Sequence, residues 1–381
     1  MTYLNKLTLF VVFCLNFQIL AQNSRFDSLI TIGVEQIYNL QYSNAESTFK
    51  IVTKEYPKSA AGLFFDAMVV WWKIMPDIMN ERNDDVLIEK LDNTIDYCDK
   101  LLDKDPKNSE ALFFKGGALG FRGRLYVYRE SWLKAALDGK DALPLIKEAY
   151  KNDPANVDVQ LGFGIYNYYI DFIPQKYPIV KPIVSLFPKG DRKKGLKQLE
   201  YVAEKGKYAN YETQYFLASI YFQYEKNKTK ALEVINKLVN KFPNNPAFEK
   251  YKGRILVGIK NFIDAKQLYN NILDKNNKGF TGYNKRTKRE AYYHLGYISY
   301  ITNNFSDAIP LLEESKKISN EIDKINDTNY KVNTLLYLGM CYDATGNRKK
   351  AMELYEMVLD CDDFSNSHNN AKKYLKSPFK N

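Results

Sequence analysis

Apolar and small side chains recur at helical spacing in a stretch of 34 residues, from Glu212 to Asn245. In its first half they fall three and four positions apart, at Tyr215, Ala218, Ser219 and Phe222. In its second half the same spacing joins Ala231, Leu232, Ile235, Leu238 and Val239. Side chains three and four residues apart share one face of a helix, so the stretch predicts two short amphipathic helices.

Two prolines delimit the helices of this unit. Pro243 ends the second helix, because its ring clashes with the preceding turn and it has no N–H to donate. Asn245 before Pro246 predicts a new start, with a capping residue followed by proline at the first helical position. One such pair of helices cannot bury both of its apolar faces, so it requires stacked neighbours.

The same marks recur along most of the chain and predict eight units. Their approximate bounds are 26–58, 59–108, 109–156, 157–207, 212–245, 246–278, 287–320 and 330–362. Units two to four are longer than the others. In the fourth, four prolines forbid one continuous helix: Pro174, Pro178, Pro182 and Pro188. Residues 365–376 predict a polar helix that covers the last apolar face.

This pattern resembles the tetratricopeptide repeat, whose period is about 34 residues. The resemblance implies an all-α fold, a right-handed α-solenoid of about eight helix pairs with insertions in repeats two to four and a C-terminal capping helix. The stretch GIYNYYIDFIP at 164–174 and the proline-rich segment after it are similar to an exported bacterial group of such proteins. They are more distantly similar to eukaryotic inclusion-body-clearance proteins. The resemblance implies binding of proteins and no enzymatic activity.

The amino terminus differs from the repeats. Lys6 precedes an apolar run at 7–15, and a small residue, Ala21, follows before a polar stretch. This predicts a signal peptide at 1–21 and a repeat domain at 22–381, in a protein exported to the periplasm or envelope of a bacterium. Retention of the segment as an uncleaved anchor is the alternative, although the run is short for a membrane span.

Few residues in the chain could support catalysis or metal binding. Its two histidines, His294 and His368, lie in no HExxH motif or His/Cys cluster, so we expect no metal, no cofactor and no catalytic site. The mature chain would keep three cysteines, an odd number that excludes a complete disulfide framework: Cys98, Cys341 and Cys361. Four glycines in a helical pattern favour close helix packing over a phosphate-binding loop: Gly116, Gly117, Gly120 and Gly123.

The chain has a net charge of +10, and two basic clusters stand out. The first follows the proline-rich segment and contains Lys189, Arg192, Lys193, Lys194 and Lys197. The second contains Lys275, Lys278, Lys285, Arg286, Lys288 and Arg289. A solvated surface, an acidic partner or an anionic membrane would each explain them, whereas export argues against nucleic acid. The first cluster and the proline-rich segment suggest an alternative function, a membrane-surface-associated envelope assembly factor.

The resemblance also implies that the first helix of each repeat lines a concave groove. The side chains expected there are Phe216, Ile220, Tyr224, Lys250, Arg254, Tyr293, Tyr297 and Tyr300. Tyrosine offers a large contact area and a hydroxyl at low entropic cost, which suits peptide binding. Arg254 stands where the carboxylate clamp of chaperone-binding relatives has asparagine, so that specificity is not expected. We therefore expect a scaffold for a protein or peptide partner, unless these tyrosines only pack on the next repeat.

Overall fold

The computed structural model describes residues 24–185, 187–324 and 327–380, apart from the side chains of Ile179 and Ile183. The predicted signal peptide at 1–21 lies outside the described residues. Within them every regular element is helical and no strand occurs, which confirms the predicted all-α fold. No helix in the described ranges combines the length and apolarity that a bilayer crossing requires.

The chain divides into two compact units, residues 1–217 and 218–381. The principal helices of the first unit are α1 (24–38), α2 (Tyr42–Glu55), α3 (Ala61–Ile74), α4 (Asp84–Leu102), α5 (Ser109–Tyr128), α6 (Trp132–Asn152), α7 (Gln160–Lys176), α8 (Lys181–Val184) and α9 (Arg192–Lys205). Helix α10 (Asn210–Ser219) begins in this unit, and its continuation as a π-helix at Ile220–Tyr224 lies in the second.

The second unit continues the series of paired helices. They are α11 (Lys228–Lys241), α12 (Pro246–Gly258), α13 (Phe262–Asn277), α14 (Lys285–Ile301), α15 (Phe305–Ile322), α16 (Asn329–Ala344), α17 (Arg348–Leu359) and α18 (Ser367–Lys376). As expected, α12 begins at Pro246, and the side chain of Asn245 accepts from the N–H of Ala247 at 3.0 Å and of Phe248 at 3.4 Å.

Glycine allows the two helices of a pair to approach closely. A Cβ at Gly339 on α16 would lie 2.7 Å from the ring of Tyr355 on α17. A Cβ at Gly296 on α14 would lie 2.7 Å from Leu312 on α15. In each pair the large side chain on the second helix occupies the space that the glycine leaves.

The long repeats absorb their extra residues in different ways. In the third repeat both helices are lengthened, α5 to 20 residues and α6 to 21. In the second, two 3₁₀ turns at Met75–Asp77 and Glu81–Asn83 join the helices. In the fourth, α7 tolerates Pro174 in its last turn and ends at Lys176. The glycines of α5 fit only in part, because Gly116 packs on Ile146 whereas Gly120 faces open space.

The three cysteines that follow the predicted signal peptide are free. Cys98 and Cys341 are buried and Cys361 is partly buried, so Cys98 is the buried small hydrophobe that its repeat position suggests. Burial raises the pKa of the Cys98 and Cys341 thiols to about 12, which keeps both protonated at neutral pH.

The first helices form the inner layer of the second unit. Helices α12, α14, α16 and α18 contact one another in sequence, and each second helix packs between two of them. The first helices therefore form one continuous layer, with the second helices packed against it.

Candidate functional site

In the first unit the first-helix layer is covered by the chain itself. Tyrosines on and just before α10 pack edge-on against aromatic residues of α1 and α3. The ring-centroid distances are 5.9 Å for Tyr208 and Phe65, 5.4 Å for Tyr211 and Tyr38, and 5.8 Å for Tyr215 and Trp72. These contacts join parts of the chain more than 130 residues apart and occupy the surface expected to bind a partner.

A buried carboxylate joins α10 to three first helices. Glu212 accepts from Arg124 Nη1 at 2.6 Å, from Trp72 Nε1 at 3.1 Å and from the Tyr38 hydroxyl at 3.4 Å. The guanidinium of Arg124 also lies 4.1 Å from the ring centroid of Phe216 and 4.6 Å from that of Trp71. The charge pair is therefore enclosed by aromatic side chains, which exclude water from it.

Asp158 fixes the turn that leads into α10. Its side chain accepts from the backbone N–H groups of Lys207 at 2.9 Å, Tyr208 at 3.0 Å and Ala209 at 3.3 Å. Burial raises the pKa of this carboxyl, and the three N–H groups partly oppose the rise. The hydroxyl of Tyr208 donates to Asp27 on α1 at 2.6 Å. Together these bonds direct the chain onto the first helices of repeats one to three.

The structure places two of the residues predicted for the groove at the fifth repeat inside the packed chain. Phe216 is buried against Arg124, and Ile220, 0% exposed, begins the π-helical continuation. Both side chains pack within the protein. Tyr224 at the end of the π-helix is half-buried and keeps its place among the candidate residues.

The second unit carries a row of tyrosines on two adjacent first helices, which we call the tyrosine face. It consists of Tyr293, Tyr297 and Tyr300 on α14 with Tyr330 and Tyr337 on α16. Tyr337 lies 5.2 Å from Tyr297 and 5.0 Å from Tyr300 between ring centroids, and Tyr330 lies 5.0 Å from Tyr293. Tyr293 is buried beneath the row, whereas the other four are half-buried.

Two predicted cations of the groove meet one carboxylate beside the tyrosine face. Arg254 on α12 holds Glu290 on α14 with both prongs, Nε to Oε1 at 2.6 Å and Nη2 to Oε2 at 2.7 Å. Lys250 Nζ lies 3.8 Å from Glu290 Oε2. Burial raises the pKa of Glu290, but the positive charges of Arg254 and Lys250 lower it by more. The pKa of this carboxyl is therefore well below its ordinary value. The anion balances one of the two cations.

His294 packs inside this cluster. Its ring stacks on Tyr269 with 4.8 Å between centroids and 16° between planes. Burial lowers the pKa of His294 to about 4, and Glu290 only partly opposes the shift. The histidine is therefore neutral at physiological pH. The described residues contain no group of three His, Cys, Asp or Glu side chains that could hold a metal ion.

The two basic clusters differ in their surroundings. In the first, Lys189, Lys193, Lys194 and Lys197 are exposed and pair with none of the described carboxylates, while Arg192 lies over Phe172, 5.0 Å from its centroid. In the second, most cations have a partner: Lys275 with Glu249, Lys278 with Asp274, Lys285 with Glu321, and Arg286 and Arg289 with Asp323. Of the two clusters, the first therefore presents exposed cations that no described carboxylate neutralises, whereas most charges of the second are paired.

Two features were missed in the sequence. Arg124 and Glu212 were not paired, because they lie 88 positions apart and neither interrupts its helical pattern. Tyr330 and Tyr337 were also missed, although their spacing of seven residues places both on one face of α16 and could have indicated that they face α14.

Comparison with known proteins supports the repeat assignment at the fifth and eighth repeats. A family model described as tetratricopeptide repeat matches residues 212–245 and 333–360. No curated protein matches the sequence.

Similar solved structures include PilW, a type IV pilus biogenesis factor (14% identity, 68% of this chain and 98% of that chain, TM-score 0.44). They also include a thermophilic tetratricopeptide repeat protein from Thermus thermophilus (18% identity, 61% and 99%, TM-score 0.36). A third is a tetratricopeptide repeat protein from Parabacteroides merdae (11% identity, 80% and 98%, TM-score 0.40).

The matched segments coincide with helix pairs of the structure. Residues 212–245 take in most of α10 and the whole of α11, and residues 333–360 take in most of α16 and the whole of α17. The remaining helices pair in the same order along the chain. Residues 212–245 and 333–360 thus match the tetratricopeptide repeat, and the rest of the described chain continues the same succession of paired helices.

Proposed function

We propose that the protein is an exported, non-enzymatic scaffold that binds an extended segment of a partner protein on the tyrosine face. Tetratricopeptide repeats are in general a fold for protein interaction. The observation that carries the proposal is the contrast between the two inner layers. In the first unit α10 covers the first helices, whereas in the second unit four half-buried tyrosines remain on them.

The chemistry of the tyrosine face suits a peptide. Stacked rings supply a rigid apolar surface, and the hydroxyls of Tyr297, Tyr300 and Tyr337 can exchange hydrogen bonds with a peptide backbone. The two hydrogen bonds between Arg254 and Glu290 hold α12 against α14. The side chains of Arg254 and Glu290 are therefore already ordered and would lose little conformational entropy on binding. We expect no nucleic acid and no cofactor among the ligands.

A position-matched substitution tests this proposal. Envelope proteins captured by the wild type would be compared with those captured by Tyr297→Ala/Tyr300→Ala and by Tyr292→Ala, which lies on the same helix outside the tyrosine face. We expect the double variant to lose specific partners that Tyr292→Ala retains. Capture of the same partners by all three proteins, each with an unchanged melting temperature, would exclude the tyrosine face.

A second function, membrane-surface-associated envelope assembly, is supported by the first basic cluster. Its four exposed lysines are free to contact anionic headgroups, each contributing about 1 kcal/mol near such a surface. Flotation with phosphatidylcholine vesicles that contain or lack phosphatidylglycerol tests it. We expect flotation that depends on the anionic lipid and that is lost when Lys189, Lys193, Lys194 and Lys197 are replaced with Ala. Failure of the wild type to float would exclude this function.

A further inference from the structure

The three long repeats carry their extra residues at the same kind of turn. The insertion at 75–83 joins α3 to α4, the tip of the α5–α6 hairpin lies at 129–131, and the proline-rich segment precedes α9. Each of these turns connects a first helix to its second helix. Because first helices of consecutive repeats lie side by side, as α3, α5 and α7 do, these turns follow one another along one edge of the first unit.

That edge exposes an unusual number of large apolar side chains. At the hairpin tip Leu133 is 67% exposed and Trp132 is 45% exposed. Other large apolar side chains exposed near the turns of repeats two to four are Met79, Val86, Val127, Tyr128, Leu137 and Tyr177. Leu133 and Leu137 lie four positions apart on one face of the first two turns of α6, and Trp132 precedes them at the start of the helix. Monomeric proteins seldom leave such a patch uncovered without a role in binding.

The tip is held rigidly in place. Arg129, at the end of α5, donates to Asp84 at the start of α4, with Nη2 to Oδ1 at 3.0 Å. The same guanidinium donates from Nη1 to the carbonyl of Ile78 at 2.8 Å. These bonds join the tip of repeat three to the insertion of repeat two, so the apolar side chains project from an ordered base.

The composition of this edge matches a lipid interface. Tryptophan and tyrosine are favoured at the boundary between headgroups and acyl chains, where one part of the ring is apolar and another is hydrated. Leucine and methionine add apolar surface that an exposed turn can bury among acyl chains. The four exposed lysines at the turn of repeat four supply the charge complementary to anionic headgroups.

We propose that this edge is a membrane-docking surface, in which the α5–α6 tip inserts Trp132 and Leu133 into an anionic lipid interface while Lys189, Lys193, Lys194 and Lys197 contact the headgroups. The proposal rests on the membrane-surface function above and adds to it the residues that insert. The apolar tip gives attachment that survives salt, whereas the lysines give selectivity for anionic lipid.

Tryptophan fluorescence tests insertion directly. The chain has three tryptophans, and Trp71 and Trp72 are buried, so Trp132 is the one whose surroundings a vesicle can change. Phosphatidylcholine vesicles with phosphatidylglycerol should shift the emission to the blue and protect it from an aqueous quencher. Trp132→Phe should abolish the shift. Leu133→Ser/Leu137→Ser should weaken vesicle binding about tenfold or more, as expected for the loss of two buried leucines.

A matched control separates the tip from general apolarity. Ile263→Ser removes a side chain that is 82% exposed in the second unit and should leave vesicle binding unchanged. Lysine-dependent flotation without a shift of Trp132 emission would overturn insertion and leave the membrane-surface function standing. Absence of flotation would overturn both. A dimer in solution that Leu133→Ser/Leu137→Ser dissociates would assign the patch to self-association and also overturn the proposal.

Discussion

Arg124 on α5 and Glu212 on α10 form a buried ion pair, with Nη1 2.6 Å from Oε1 and with 17% and 7% of their side chains exposed. The pair connects repeats that are not neighbours along the chain. It holds α10 against α1, α3 and α5 within the first unit.

Glu212→Ala should destabilise the first unit strongly. The substitution leaves Arg124 buried without its counter-ion and removes the acceptor of Trp72, so we expect a loss of about 3–5 kcal/mol. Glu212→Gln keeps one acceptor oxygen and should lose less. Denaturant unfolding with hydrogen exchange at 207–217 measures both effects. Wild-type protection of this segment in Glu212→Ala would contradict the structural role of the pair.

Two glycine substitutions should act in opposite directions. A Cβ at Gly195 on α9 would lie 2.5 Å from the backbone N of Tyr168 on α7 and 2.7 Å from the backbone O of Gly164. Backbone atoms cannot move aside, so Gly195→Ala should cost more than about 2 kcal/mol.

Gly120→Ala on α5 meets nothing within 4 Å and should stabilise the protein by about 0.5–1 kcal/mol, because alanine favours the helix. The melting temperatures of the two variants check both signs. A fall in both would show that helix α5 does not tolerate alanine at an open position.

His294 should make stability depend on pH below neutrality. Its pKa is about 4 in the folded protein, against an ordinary value of 6.5, so the unfolded chain binds a proton first as the pH falls. Stability should fall between pH 6.5 and about 4.5, by about 2 kcal/mol from this group. His294→Phe keeps a ring on Tyr269 and should flatten that slope, whereas His368→Gln should not. Equal slopes in all three proteins would refute the assignment.

The helical fold could be predicted from the sequence because the apolar face of each helix is formed by side chains three or four residues apart. Gly296 and Gly339, on the first helices of repeats seven and eight, pack against Leu312 and Tyr355 on the second helix of the same repeat. The burial of Phe216 and Tyr293 was not accessible. It depends on contacts with Arg124 and Tyr330, which lie 92 and 37 positions away and which local periodicity does not report.

Site-specific photo-crosslinking tests partner binding on the tyrosine face most directly. A benzophenone side chain in place of Tyr297 on α14, or of Ile263 on the exposed side of α13, would be activated in the native envelope. We expect a discrete crosslinked partner from position 297 and none from position 263. The same partner from position 263, or no product from position 297, would contradict it.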